Sequence, residues 1–390
     1  MNSALKNYAT YVNNKIDVCE ISLNQYISTD NILQNKQGIE CAASLPIQGG
    51  KVTAFKKGDI LLANIRPYLK KIWYAQFDGG CSADVLAIRA NAKIDSHFLF
   101  YALFRDDFFI HAMKGSKGTK MPRGDKSQIM EFKIPVFDPK TQQSIAAVLS
   151  ALDKKIALNK QINARLEQMA KTLYDYWFVQ FDFPDASGKP YKSSGGEMVF
   201  DETLKREIPK GWEVKSLGEI ADLYQPATLS EKELKKNGQF LVYGANGIIG
   251  KYNQFNHENP VVAVACRGNS CGAINITQPK SWITGNAMVV NPKNKNMCID
   301  YIKNTLLVNN LDKVISGSAQ PQITRTNFAP LKVILPSEAL LKLYSDIVNS
   351  MFNKRINQIQ QNAKLTQLRD FLLPMLMNGQ VSATRENNDK

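Results

Sequence analysis

The sequence predicts an α+β chain written twice, two mixed α/β domains each followed by one long amphipathic helix. Three observations predict it. Segments of the first half recur in the second half in the same order. Each half passes from short β-branched runs, broken by Gly, Asn and Pro, into an unbroken helical apolar stripe. A chain of 390 residues also exceeds one ordinary domain.

The repeat comes first. KGDILLANIRPYLKKIW from Lys57 matches NPVVAVACRGNSCGAI from Asn259, so that Ile60 falls on Val261 and Arg66 on Arg267. GSKGTKMPRGDKSQIMEFKIP ends at Pro135 and GSAQPQITRTNFAPLKVILP at Pro336, again a displacement of 201. NARLEQM from Asn163 meets NAKLTQL from Asn362, a displacement of 199.

Within the halves, Ile60–Ile65, Val85–Ile88, Val261–Ala265 and Met288–Val290 read as strands, and Asp95–Asp106 and Ile299–Asn309 as short helices. Apolar residues then recur every three or four positions from Ile145 to Leu173 and from Tyr344 to Leu372, with no Pro or Gly before Pro374. Phe183–Gly196 is a turn-rich polar connector, and the final ATRENNDK is polar enough to be disordered. The expected division is a first mixed domain at 1–140 and its helix at 141–182. A linker at 183–206, a second mixed domain at 207–337, its helix at 338–378 and a tail at 379–390 follow. Two apolar stripes on one duplicated chain are expected to pack as an antiparallel, coiled-coil-like pair. A helix of about 30 residues is roughly 45 Å long, a little over one turn of B-DNA at roughly 34–36 Å.

Composition narrows the function. The chain is 44% hydrophobic, and 49 Lys and Arg outweigh 35 Asp and Glu, giving a net charge of +14. Such an excess draws a protein toward polyanions through counterion release, without separating DNA from RNA or acidic lipid. No apolar run is long enough to span a bilayer, and Met1–Thr10 lacks the apolar core of a signal peptide, so the cytoplasm is expected and no membrane partner. The six cysteines are scattered without a CxxC pair, which suits reduced thiols, Cys266 and Cys271 among them, rather than a disulfide framework or a zinc site.

Candidate recognition residues sit at matching points of the two halves. Arg66, Tyr68, Lys70 and Lys71 form a basic loop after a predicted strand, and Arg267 and Asn269 lie in its counterpart. Arginine grips guanine bidentately and Asn or Gln grips adenine; Arg66 and Arg267 serve equally well as structural ion-pair partners. Lys117, Lys120, Arg123 and Lys126 form a Gly-rich cationic loop, matched by the amide-rich Gln320, Gln322, Thr324 and Arg325. The turn Tyr243–Lys251 is a third candidate, with Tyr243, Asn246 and Lys251 as its reaching side chains. Tyr174, Trp177 and Phe178, at the end of the first apolar stripe, read as core or partner-binding residues, as does Phe371 on the second. Asn159 and Asn163, within the apolar register, either fix helix alignment or face solvent.

Catalytic motifs are missing from the sequence. Asn259-Pro260 and Asn291-Pro292 continue with Val and Lys, not as an NPPY-type methyltransferase motif. Gly244–Lys251 lacks the spacing and the final Ser or Thr of a phosphate loop and reads as a hairpin turn. Glu131-Phe132-Lys133 with Asp125 is a possible nuclease pair, but Phe132–Val136 reads as a closing strand. The three histidines do not cluster. No catalytic or metal site is expected.

In its order of phrases the chain resembles the specificity subunits of type I restriction–modification systems. IPKGWEVKSLGEI from Ile208, VYGANGIIGKYNQF from Val242, GSAQPQIT…LKVILP from Gly317 and SIAAVLSALDKKIALNKQINARLEQMAKTLYDYWFVQFDF carry the resemblance across nearly the whole chain. It implies two target recognition domains separated by two long antiparallel helices with pseudo-two-fold duplication, each domain reading half of a split site in double-stranded DNA. It also implies two modification subunits that methylate adenine with S-adenosylmethionine, and restriction subunits that cleave with ATP and Mg²⁺, the chain itself holding no cofactor. A stand-alone nuclease or methyltransferase lacks its motifs here, and a plain coiled-coil scaffold has no need of basic loops. The same module in a one-polypeptide restriction system fits the residues nearly as well.

Overall fold

The computed structural model describes residues 2–46, 49–116, 118, 120–317 and 320–382. The chain divides into two compact units, Met1–Leu158 with Gln361–Lys390, and Asn159–Gln360.

In the first unit a sheet of four strands runs in the order Ala9–Tyr11, Val85–Ala90, Ile60–Ala63, Ile72–Tyr74, all antiparallel. Its central strand explains why ILLA is a continuous apolar run. Ile60 and Leu62 face a cluster with Phe98, Leu99 and Phe108, while Leu61 and Ala63 face another with Phe55 and Trp73. Both faces are covered, so no polar alternation is left. A second sheet of four holds Lys15–Asp17, Lys51–Phe55, Gly79–Cys81 and Tyr26–Ile27. The strand Asn2–Ala4 pairs with Lys133–Pro135 and closes the unit, which is where Glu131-Phe132-Lys133 belongs: Phe132 is buried and Glu131 pairs with Lys6 at 2.6 Å.

The second unit repeats this plan. Ala221–Tyr224, Ala287–Pro292, Val262–Ala265 and Ile274–Ile276 form the antiparallel sheet of four, and Glu213–Ser216 pairs with Lys332–Leu335. Val262 and Val264 face one cluster, and Ala263 another with Tyr243 and Val289. Gly244–Lys251 is the expected turn: Phe240–Gly244 and Gly247–Tyr252 form a hairpin, with Gly247 at φ 87° where a Cβ is disfavoured. The connector region carries a further hairpin, Met198–Asp201 with Arg206–Pro209.

Strand pairing corrects the displacement of the repeat. Ile60 faces Ile88 in one sheet and Val262 faces Val290 in the other, so the sheets are related by 202 positions, not 201. Leu5 N–H donates to the Phe132 carbonyl and Leu217 N–H to the Leu331 carbonyl, so Lys133–Pro135 and Lys332–Leu335 are displaced by 199, and Pro135 corresponds to Ile334 rather than Pro336. Residue similarity tolerates a slip of one, as in the sheets, or of two, as in the closing strand, whereas a ladder fixes each partner and a single step turns every side chain over.

The first long helix spans Pro139–Tyr174 and continues as a π turn, Asp175–Val179; the second spans Glu338–Met377 with Pro374 inside. Asp138 starts the first by accepting from Thr141 N–H at 3.0 Å, ahead of Pro139, whose missing N–H is no loss there. The helices run antiparallel in each unit. In the first, Arg369 pairs with Asp153 at 2.7 Å and Asn362 Nδ2 donates to the Ile156 carbonyl at 3.2 Å. In the second, Asn163 Nδ2 donates to the Arg355 carbonyl at 3.4 Å and the Tyr344 hydroxyl to that of Ala170 at 3.3 Å. Asn163 and Asn362 thus make the same bond at a displacement of 199. Asn159 is fully buried.

Candidate nucleic-acid interface

In each unit the two predicted loops are joined into one surface by the same pair of backbone hydrogen bonds. In the first, Arg66 N–H donates to the Pro122 carbonyl at 2.7 Å and Gly124 N–H to that of Asn64 at 3.1 Å, leaving Ile65 opposite Arg123. In the second, Gly268 N–H donates to the Pro321 carbonyl at 3.1 Å and Ile323 N–H to that of Cys266 at 3.0 Å, leaving Arg267 opposite Gln322. Arg66 therefore corresponds to Gly268, and Arg267 to Ile65. Arg66 and Gly268 share a left-handed backbone, φ 53° and 78°. Glycine adopts it freely, whereas a non-glycine residue is strained by about 1–2 kcal/mol.

The side chains of the first surface are cationic. Arg66 and Lys70, the latter at φ 51°, flank a short turn, Pro67–Leu69, that presents Tyr68 half exposed. Arg66 Nε is buried and has no hydrogen-bond partner among the described residues. Lys70 pairs with Asp106 at 2.9 Å, Lys36 pairs with the same carboxylate at 2.7 Å, and Lys71 donates to the Thr29 carbonyl. Burial pushes the Asp106 carboxyl up, but the two ammonium groups outweigh it and hold the group below the usual carboxylate range. Arg123 pairs with Asp84 at 3.0 Å, while Lys120 and Lys126 are exposed. Lys126 opens a short helix capped by Asp125, which accepts from Ser127 and Gln128 N–H. Lys117 lies outside the described residues.

The second surface is amide-rich. Arg267, Asn269, Gln320, Gln322 and Arg325 are exposed. Arg325, not Arg123's match but that of Lys126, opens the equivalent short helix Arg325–Phe328, which Thr324 caps by accepting from Asn327 N–H at 3.2 Å. Thr324 thus has a structural task already.

Two groups of expected site residues are corrected. Tyr243 is 5% exposed, and its hydroxyl accepts from Gln278 N–H at 3.1 Å, so it is core and does not reach outward. Asn246 and Lys251 are exposed, but on a separate three-stranded sheet. Tyr174, Trp177 and Phe178 are not partner-binding residues: all are buried in the second unit's own core, with the Phe178 ring 5.0 Å from both Tyr301 and Tyr344. Their counterparts in the first unit are the buried Leu373, Leu376 and Met377. Phe371, at 63% exposure, remains open.

The sequence reading missed Asp84, Asp106 and Lys36. They lie far along the chain from the cations or carbonyls that they meet, and no local motif marks them. Cys266 is buried and Cys271 half-buried. Among the described residues no group of three or more His, Cys, Asp or Glu is placed to hold a metal, and no helix is long and apolar enough to cross a membrane.

A family model described as "Type I restriction modification DNA specificity domain" matches residues 4–168 and 209–367, once for each half of the repeat. The HindI specificity subunit of a type I restriction enzyme from Haemophilus influenzae is 26% identical, over 91% of this chain and 94% of its own. The MjaIX specificity subunit from Methanocaldococcus jannaschii is 27% identical, over 84% of this chain and 78% of its own. Among solved structures, a type I restriction–modification S subunit from M. genitalium shares the fold, with a TM-score of 0.58 at 18% identity over 97% of this chain and 96% of that one. With two copies of the specificity domain covering most of its length, the chain belongs to the type I restriction–modification specificity subunits, and its task is recognition of a DNA sequence.

Proposed function

We propose that this chain reads a bipartite, asymmetric site in double-stranded DNA, one half per unit, and catalyses nothing itself. It directs two modification subunits, which methylate adenine with S-adenosylmethionine, and restriction subunits, which cleave with ATP and Mg²⁺, all in the cytoplasm. The observation that supports this reading is the joined pair of loops, present in both units with one backbone plan and different side chains. Backbone that is repeated while the exposed residues diverge is what two heads reading different half-sites require. The DNA-contact candidates are Arg66, Tyr68, Lys120, Arg123 and Lys126 in one unit and Arg267, Asn269, Gln320, Gln322 and Arg325 in the other. Phosphate contacts position a head and base-edge contacts specify it. Duplication of the helices offers two quasi-equivalent surfaces, which fits two copies of one partner.

The test uses equivalent positions. Lys126→Ala and Arg325→Ala are each introduced into the chain within its methyltransferase complex, and gel-shift titrations use duplexes altered in one half-site at a time. Each variant should bind the cognate duplex more weakly, and the half-site whose alteration costs least should differ between the two. Unchanged affinity for both variants refutes the assignment.

A further inference from the structure

We infer that the second unit reads an adenine in its half-site through free amides, with Gln322 as the principal reader, whereas the first unit holds its half chiefly through cations. The inference rests on the DNA-reading role proposed above and adds what each head reads.

Three observations carry it. First, Gln322 and Arg267 face each other across the bridge that joins the two loops, so their side chains leave the same face as cross-strand neighbours. The next residue, Ile323, is buried in the core, and strand alternation therefore turns Gln322 outward, where it is exposed. Second, the amides of Gln322, Gln320 and Asn269 are exposed and make no hydrogen bond to other described residues. Elsewhere in the unit amides are engaged: Asn256 holds both the N–H and the carbonyl of Ile283, and Gln225 donates to the Gly285 carbonyl. Third, the place of Gln322 in the first unit is taken by Arg123, which is paired with Asp84, and that of Arg267 by the apolar Ile65. The two heads thus present different chemistry on one backbone. A carboxamide matches adenine in the major groove, donating to N7 and accepting from the N6 amino group. Guanine offers two acceptors and no donor at that edge, and an amide meets it with one group unpaired.

The experiment uses the chain assembled with its modification subunits. Methylome sequencing gives the site, and the half assigned to the second unit is the one at which Arg267→Ala changes discrimination. Duplexes then carry 7-deazaadenine in place of each adenine in turn, which keeps base pairing and removes N7. At one position of the second unit's half the wild type should bind roughly 2- to 10-fold more weakly, the worth of the one hydrogen bond lost with N7. Gln322→Ala should bind the natural and 7-deaza duplexes alike at that position. Gln322 is exposed, and such surface changes leave the fold within about 0.5 kcal/mol, which a melting curve checks. In the first unit's half the 7-deaza changes should cost less than about twofold, while Lys126→Ala lowers the slope of log affinity against log salt by about one. If Arg267→Ala alters discrimination but no 7-deazaadenine in that half matters, amide reading is wrong and DNA reading stands. If neither Arg267→Ala alters discrimination nor Lys126→Ala weakens binding, the reading of these loops fails, and this inference with it.

Discussion

Phe178→Ala decides whether the aromatic end of the first long helix is core or docking surface. The Phe178 ring is 4% exposed and lies within 6.2 Å of the rings of Tyr174, Trp177, Trp212, Tyr301 and Tyr344. Truncating a buried Phe costs about 3–5 kcal/mol through lost transfer energy and the cavity left behind. Five ring partners, each worth about 0.5–1.5 kcal/mol beyond area, place this site at the upper end. For a unit of about 200 residues, 1 kcal/mol moves the melting temperature by roughly 2–4 °C, so the loss should be about 10–20 °C. Calorimetry measures the shift, and hydrogen exchange should show lost protection in Tyr301–Leu306 and Tyr344–Val348, whose side chains close the cluster. Phe371→Ala is the control: at 63% exposure its loss should move stability by about 0.5 kcal/mol or less. A Phe178→Ala protein within 1 kcal/mol of the wild type would refute the core assignment and restore a partner-facing one.

Two further outcomes follow from strain and from charge. Arg66→Gly places in the first unit the residue that its counterpart Gly268 already uses at positive φ, so relief of strain should offset the entropy of glycine and leave stability unchanged or raised by up to about 1 kcal/mol. DNA affinity, measured by gel shift, should fall; destabilisation beyond 1 kcal/mol would show that Arg66 is structural. Burial pushes the Glu167 carboxyl up, but Lys303 and Arg355 outweigh it and hold it below its ordinary 4.5. A lowered carboxyl stabilises the fold above 4.5 and loses that contribution as the pH falls through the folded value. Glu167→Gln should therefore be less stable than the wild type at pH 7, and urea titrations should show the two converging in acid; a gap that stays constant would sink the linkage.

Much of the architecture was legible because it depends on local pattern. The run ILLA and the run VAVA announce strands covered on both faces, and the stripes from Ile145 and Tyr344 announce helices that need partners. The pairing of the loops was legible only as coincidence of position in the repeat. Their joining depends on four backbone hydrogen bonds, two in each unit, whose ends are more than 50 residues apart, which no periodicity records. Tyr243 misled for a related reason. In a strand with one face in water, a residue beside the buried Val242 would point outward; here both are buried, and the sequence FLVYG cannot say so. The carboxylates that engage Arg123 and Lys70 come from Asp84 and Asp106, brought in by a strand end and a helix start that the reading had no means to bring together.

The one-residue correction to the repeat has a consequence for how the two heads diverged. Under the similarity alignment, Arg66 and Arg267 are the same residue preserved, which argues for a shared contact. Under the hydrogen-bond register, each arginine stands where its counterpart is Gly or Ile. Beside Pro122 and Pro321, whose carbonyls make the joint, the joined loops then share a cation at the start of the short helix, Lys126 and Arg325. The N–H groups at both helix starts are taken by caps, Asp125 accepting from Ser127 and Gln128 N–H and Thr324 from Asn327 N–H. An exposed cation kept at that position in both units is suited to grip a phosphate oxygen through its own side chain. The shared part of the surface is thereby the part suited to backbone, common to all DNA, and the unshared part is the part suited to bases.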